Sequence, residues 1–62
     1  MKLTPRESEV LQHLVLGMTS KEIGKATGMA PKTVDKHIEQ IRLKRRANSR
    51  LQIVAGYFAE RA

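Results

Sequence analysis

Apolar residues recur at three- and four-residue spacing in four stretches of the chain, and each stretch opens on a helix-start signal. The first reads Val10, Leu11, Leu14 and Val15 behind Thr4-Pro5-Arg6-Glu7. Thr4 is placed as the N-cap, Pro5 as the first helical residue and Glu7 as the third, with Leu3 free to staple onto the inner face. Gly17 predicts the C-terminal stop of this helix. A second capping box, Thr19-Ser20-Lys21-Glu22, opens a short helix that runs to about Thr27. Its inner face is expected at Ile23 and Ala26, and Gly28 marks a tight turn after it.

A third helix begins at Pro31. Ala30 stands at its N-cap, where the lack of an oxygen acceptor costs about 1 kcal/mol. At 100° per residue Val34, Ile38 and Ile41 lie within about 60° of one another, so they form the buried stripe. Lys32, Lys36 and Glu39 lie opposite, with Asp35 and Arg42 on one flank. On the same wheel Arg45 points inward and Leu43 outward. Either the helix ends near Lys44, or Arg45 lays its stem along the core and reaches out.

Asn48 or Ser49 caps a fourth helix, with Ser49 to Gln52 spaced as a capping box. Its apolar residues fall on two faces. Leu51, Ala55 and Phe58 share one side; Ile53 and Tyr57 lie on another. One face covers the core, and a second on the last helix of so small a domain predicts a partner surface.

Charge sharpens this picture. The 62 residues carry a net charge of +6, and residues 32–50 alone carry +5: Lys32, Lys36, Arg42, Lys44, Arg45, Arg46 and Arg50 against Asp35 and Glu39. A basic face concentrated on the second member of a helix–turn–helix pair is the footprint of a polyanion partner, and the pair itself has the shape of a DNA-binding motif.

Other classes of function find little support. There is no cysteine, and His13 and His37 stand far apart without a carboxylate cluster between them, so no metal site is expected. No nucleophile–base pair appears, which argues against an enzyme, and no cofactor or small-molecule ligand is implied. One Tyr and one Phe, both in the last helix, offer no stacking platform for RNA. The start has no apolar signal region, and the longest apolar run, 53–59, is too short for a bilayer; no membrane association and a cytoplasmic location are expected.

Placed together, Leu3-Thr4-Pro5-Arg6-Glu7, Glu9-Val10-Leu11, Gly17, Ser20-Lys21-Glu22-Ile23, Thr33-Val34, His37, Ile41, Lys44, Arg50 and Val54 resemble the LuxR-type (GerE-like, FixJ-type) DNA-binding domain. The resemblance covers nearly the whole chain, so residues 1–62 are read as one domain. It implies an all-α fold, a compact four-helix domain with a central helix-turn-helix. The second helix crosses the DNA backbone and the third enters the major groove. Thr19, Ser20, Lys21, Thr33 and Lys44 fall on positions that touch phosphate. Asp35, Lys36 and Glu39 fall on positions that reach bases, with Lys32 beside them on the outer face. The last helix pairs two subunits through Leu51, Ala55 and Phe58, while Ile53, Val54 and Tyr57 pack inward.

Several residues depart from the family pattern: Gly24 for Ala, Ala30 for a capping Ser, Gln40 for a frequent Asn, Arg45 for Leu and Ala47 for Val, while Asp35 and Glu39 put acidic groups where many relatives have basic or neutral ones. The expectation is therefore a sequence-specific regulator of transcription, a homodimer on double-stranded DNA at a palindromic operator, with repression slightly favoured over activation. The rival is a protein-interaction module that uses helix 4 and leaves the basic face merely solvated. The chain is read either as a whole small regulator or as a domain cut from a longer one.

Overall fold

The computed structural model describes residues 2–61. Among them are four helices and no strand: α1 (Pro5–Leu14), α2 (Ser20–Thr27), α3 (Pro31–Lys44) and α4 (Arg50–Arg61). The all-α, four-helix expectation holds. α3 packs against each of the other three, so the element expected to meet the ligand is also the spine of the domain.

Helix starts fall where the capping signals place them. The Thr4 hydroxyl accepts from the Glu7 N–H at 3.1 Å, and the Glu7 carboxylate accepts from the Thr4 N–H at 2.9 Å. Thr19 and Glu22 repeat the arrangement at 3.2 and 2.8 Å. α3 starts at Pro31 behind Ala30, which makes no side-chain cap. At α4 the box is skewed by one residue: Ser49 Oγ accepts from the Gln52 N–H at 3.3 Å, but the Gln52 side chain accepts from Asn48 N–H at 2.8 Å.

The end of α1 departs from expectation, and the end of α3 shows a closure that the residues do not announce. α1 stops at Leu14 with Val15 as its C-cap, and Gly17 lies beyond it in the turn, at φ +84°. The last turn closes instead through Leu16 N–H to His13 O and Gly17 N–H to Leu14 O. α3 ends in a left-handed turn at Arg46, φ +55°, with Ala47 N–H bonded to Arg42 O at 2.9 Å and Arg46 N–H to Leu43 O at 3.2 Å. That is a Schellman closure with arginine where glycine is the usual residue. The αL conformation costs an L-residue about 1 kcal/mol. Ala47, buried behind it, seals the joint between α3 and α4.

Val10, Leu11, Leu14, Ile23, Val34, Ile38, Ile41, Ala47 and Ile53 form the core, with Leu3, Val15, Val54 and Tyr57 packed on its edge. Ala26, expected inside, is exposed, and Gly24 is buried in its place. The inner face of α2 is thus turned toward Gly24. The reason is a close approach: a Cβ on residue 24 would lie 2.4 Å from the Met29 carbonyl oxygen. Met29 N–H bonds back to the Gly24 carbonyl at 3.0 Å, so the turn folds directly over this residue. Gly28, at φ +75°, supplies the left-handed cap that reverses the chain there.

Both readings of Arg45 hold together. α3 does end at Lys44, and the largely buried Arg45 side chain runs past Gly56 to reach Glu60 on α4 at 2.5 Å.

Candidate nucleic-acid interface

The two helices of the motif meet at a sharp turn, residues 28–30, which sets the start of α2 beside the outer face of α3. The expected contact residues separate into groups by what already holds them. Lys21, Lys32, Lys36 and Thr33 are exposed, and their side chains make no hydrogen bond or ion pair among the described residues. Each lysine presents a free ammonium. Thr19 uses its oxygen as the α2 cap, which leaves its hydroxyl proton available to an acceptor.

Ser20 and Asp35 are brought together by the fold. The Ser20 hydroxyl donates to the Asp35 carboxylate, and Arg50, in the first turn of α4, donates to Ser20 Oγ at 2.5 Å while standing 3.7 Å from Asp35. Three helices therefore converge on one exposed polar knot. Arg50 stands in the sequence within the basic run and among the residues of the family resemblance, but no spacing rule joins it to Ser20, 30 residues away.

Glu39 is also engaged. Both its oxygens accept from Arg42, Nε at 2.9 Å and the terminal nitrogen at 2.6 Å, and the third nitrogen of that guanidinium donates to Ala47 O at 3.0 Å. The Arg42 hydrogen bonds hold the Glu39 carboxyl below the usual carboxylate range, and the same bonds raise Arg42. The pair is a net-neutral unit that joins Glu39 on the outer face to Arg42 on its flank.

Lys44 differs most from the other phosphate candidates. Its ammonium donates to Glu7 at 2.6 Å and approaches the Lys2 carbonyl at 3.4 Å, and both charged side chains are largely buried. The Lys44 hydrogen bond, with help from the Thr4 N–H, lowers the Glu7 carboxyl below its ordinary value. One of the three ammonium protons of Lys44 remains for an outside acceptor.

On α4, Leu51, Ala55 and Phe58 are all exposed, Leu51 at 78% and Phe58 at 54%. Ile53 is buried and Tyr57 half-buried on the opposite side. The Phe58 ring stands edge-on to Tyr57, centroids 5.5 Å apart, and the Arg61 guanidinium lies 4.4 Å over the Tyr57 ring. No group of three or more metal-ligating side chains occurs among the described residues, and no helix of the structure is long and apolar enough to cross a membrane.

A short helix leading across a turn into a long helix with a lysine-bearing outer face defines the helix-turn-helix class of DNA-binding domains. Residues 1–56 match the GerE family, bacterial regulatory proteins of the luxR family, so the chain belongs to that family and carries its DNA-binding, transcription-regulating domain. Comparison with curated proteins and with solved structures gives no match.

Proposed function

We propose that this domain binds double-stranded DNA sequence-specifically as a homodimer, with α3 in the major groove and α4 at the subunit interface. The observation that carries the reading is the outer face of α3, where Lys32 and Lys36 stand exposed and unpaired on the helix whose Asp35 is bonded to Ser20 at the start of α2. Thr19, Ser20, Lys21 and Thr33 take phosphate oxygens across one edge of the groove. Lys44 gives its remaining proton to phosphate; its charge is already matched by Glu7, so it adds less than Lys21 to the attraction. Lys32 and Lys36 offer donors to guanine O6 and N7. Asp35 and Glu39 offer acceptors to cytosine N4, sharing them with Arg50 and Arg42.

The exposed stripe of Leu51, Ala55 and Phe58 supports pairing with a second copy. A stripe that lies along a single helix complements itself across a two-fold axis, and the edge-on contact with Tyr57 pre-orders its largest ring. Two recognition helices related by that axis meet two inverted half-sites, so the operator is an imperfect palindrome with half-sites centred about 10 bp apart. A dimer seated on a promoter represses by occlusion, which requires no further protein surface, and it acts in the cytoplasm, where bacterial DNA lies.

Selection from a pool of randomised duplexes tests the reading. The expected result is an enriched inverted repeat. Enrichment of a single unrepeated site would contradict the dimer, and no enrichment of any sequence would contradict specific recognition.

A further inference from the structure

Two residues on the outer face of α3 have no part in the contacts described so far. Gln40 is exposed and its amide makes no hydrogen bond among the described residues. Leu43 is 55% exposed, one of the few large apolar side chains the domain leaves in water, and it stands in the last turn of α3. On the helical wheel Lys32, Leu43, Lys36 and Gln40 fall within about 80° of one another, with Glu39 about 20° to the other side of Lys32. Gln40 sits about 6 Å beyond Lys36 along the axis and Leu43 about 4.5 Å beyond Gln40.

The neighbours of Gln40 make it the free reader at its level of the helix. Glu39 has both carboxylate oxygens in the fork of Arg42, and Arg42 is pinned in turn to the α3–α4 joint through Ala47 O. Ile41 is buried. Gln40 alone at that height presents an uncommitted donor and an uncommitted acceptor toward the outside. A glutamine amide matches one base edge in the major groove with both groups at once: it accepts from adenine N6 and donates to adenine N7. An exposed leucine matches the one apolar group in that groove, the thymine 5-methyl. Both chemistries belong to A·T pairs.

We propose that Gln40 and Leu43 extend base recognition beyond Lys36: Gln40 reads an adenine about two base pairs from the pair that Lys36 addresses, and Leu43 covers a thymine methyl in the same pair or the next. The inference rests on α3 lying in the major groove, as proposed above. It makes Gln40 a specificity determinant, and it gives Leu43 a reason to stand in solvent when the protein is free.

The test begins with the sequence selected from randomised duplexes and replaces single bases by analogues. 7-Deazaadenine deletes only N7, and uracil in place of thymine deletes only the methyl. With wild-type protein, 7-deazaadenine at one conserved position should weaken binding about 10-fold, the scale of losing one hydrogen bond of a bidentate pair. Uracil at the same or an adjacent pair should weaken it about 4-fold, the scale of one buried methyl group. Gln40→Ala should bind the natural duplex more weakly and be indifferent to 7-deazaadenine; Leu43→Ala should be indifferent to uracil. These arms form a double-mutant cycle between protein and DNA, and the wild-type arm stands however the variants behave.

A selected site with no analogue-sensitive A·T pair overturns the inference. So does a Gln40→Ala variant that loses the same factor on every duplex, which would place Gln40 on phosphate. Failure of the wild-type protein to bind any duplex overturns the groove placement itself, and is read from the starting pool before any analogue is made.

Discussion

Lys44, in the last turn of α3, donates to the carboxylate of Glu7, in the first turn of α1, at 2.6 Å, and both side chains are largely buried. Glu7 simultaneously closes the capping box of its own helix. One carboxylate therefore fixes the start of α1 and the end of α3. Removing one partner of such a pair leaves an unmatched buried charge, a far larger penalty than losing a surface ion pair. Lys44→Met, which keeps the stem, should lower stability by about 3 kcal/mol. For a domain of this size that is a large share of the total, and thermal or urea unfolding measures it. Weaker DNA binding by this variant should be accompanied by that loss, whereas Lys21→Ala should weaken binding and leave the unfolding midpoint in place.

The same carboxylate sets the acid limit. Its folded value lies below its unfolded one, so the stabilisation is complete above the unfolded carboxylate pKa, near 4.5, and fades as pH falls through the lower folded value. Stability measured from pH 6 down to about 2 should fall across that window in the wild type. Glu7→Gln should start lower at pH 6 and show a shallower acid slope. An unchanged slope in Glu7→Gln would show that other carboxylates carry the acid transition.

Gly24 offers a test with an unusual sign. Alanine in a helix interior is favoured over glycine by about 1 kcal/mol, so propensity alone predicts that Gly24→Ala stabilises α2. The Cβ would stand 2.4 Å from a backbone carbonyl, which cannot swing aside as a side chain can. Destabilisation by about 1–3 kcal/mol is expected, the range for overpacking. A gain in stability would mean that the α2–α3 turn is looser than the structure has it.

Much of this could be read from the residues, because it is written in local signals. Thr4-Pro5, the Thr19–Glu22 box, Pro31 and Gly28 place their helix boundaries correctly, since caps and glycine turns act within four residues. Nothing in the residues marks Arg46, because arginine carries no signature of a left-handed turn; the turn goes with the burial of Ala47 behind it. Ala26 was expected inside because three-residue spacing from Ile23 favours it, while the carbonyl of Met29 selects Gly24 as the buried neighbour. Nor could spacing join Arg50 to Ser20 or Lys44 to Glu7, because these contacts exist only once the helices are packed. The outward stripe of α4 was legible, since one helix in so short a chain has no second core to bury it in.

Base reading and phosphate binding separate in the response to two lysines. Lys36→Ala should cost about 1–3 kcal/mol on the selected site and less on random duplex. Lys21→Ala should weaken both by similar factors. Equal losses on all sequences for Lys36→Ala would place that ammonium on phosphate.

Ala55 lies at the centre of the exposed α4 stripe, so a charge there tests pairing without touching the core. Ala55→Glu should fold, sediment as a monomer, and bind the full palindrome about 100-fold or more weaker than wild type, since the second half-site is no longer tethered to the first. A variant that remains dimeric, or binds the palindrome undiminished, would show that α4 is not the pairing surface.

The central claim is that the basic face of this domain engages the phosphates and grooves of duplex DNA, and the salt dependence of binding tests it most directly. Fluorescence anisotropy of the wild-type protein on its selected duplex should show the logarithm of the affinity falling linearly with the logarithm of salt concentration. A dimer making roughly 6–10 phosphate contacts loses ~10³–10⁵ in affinity between about 50 and 200 mM salt. An affinity that stays flat across that range would mean that no counterions are released, and that the lysines of α2 and α3 are solvated rather than bound to DNA.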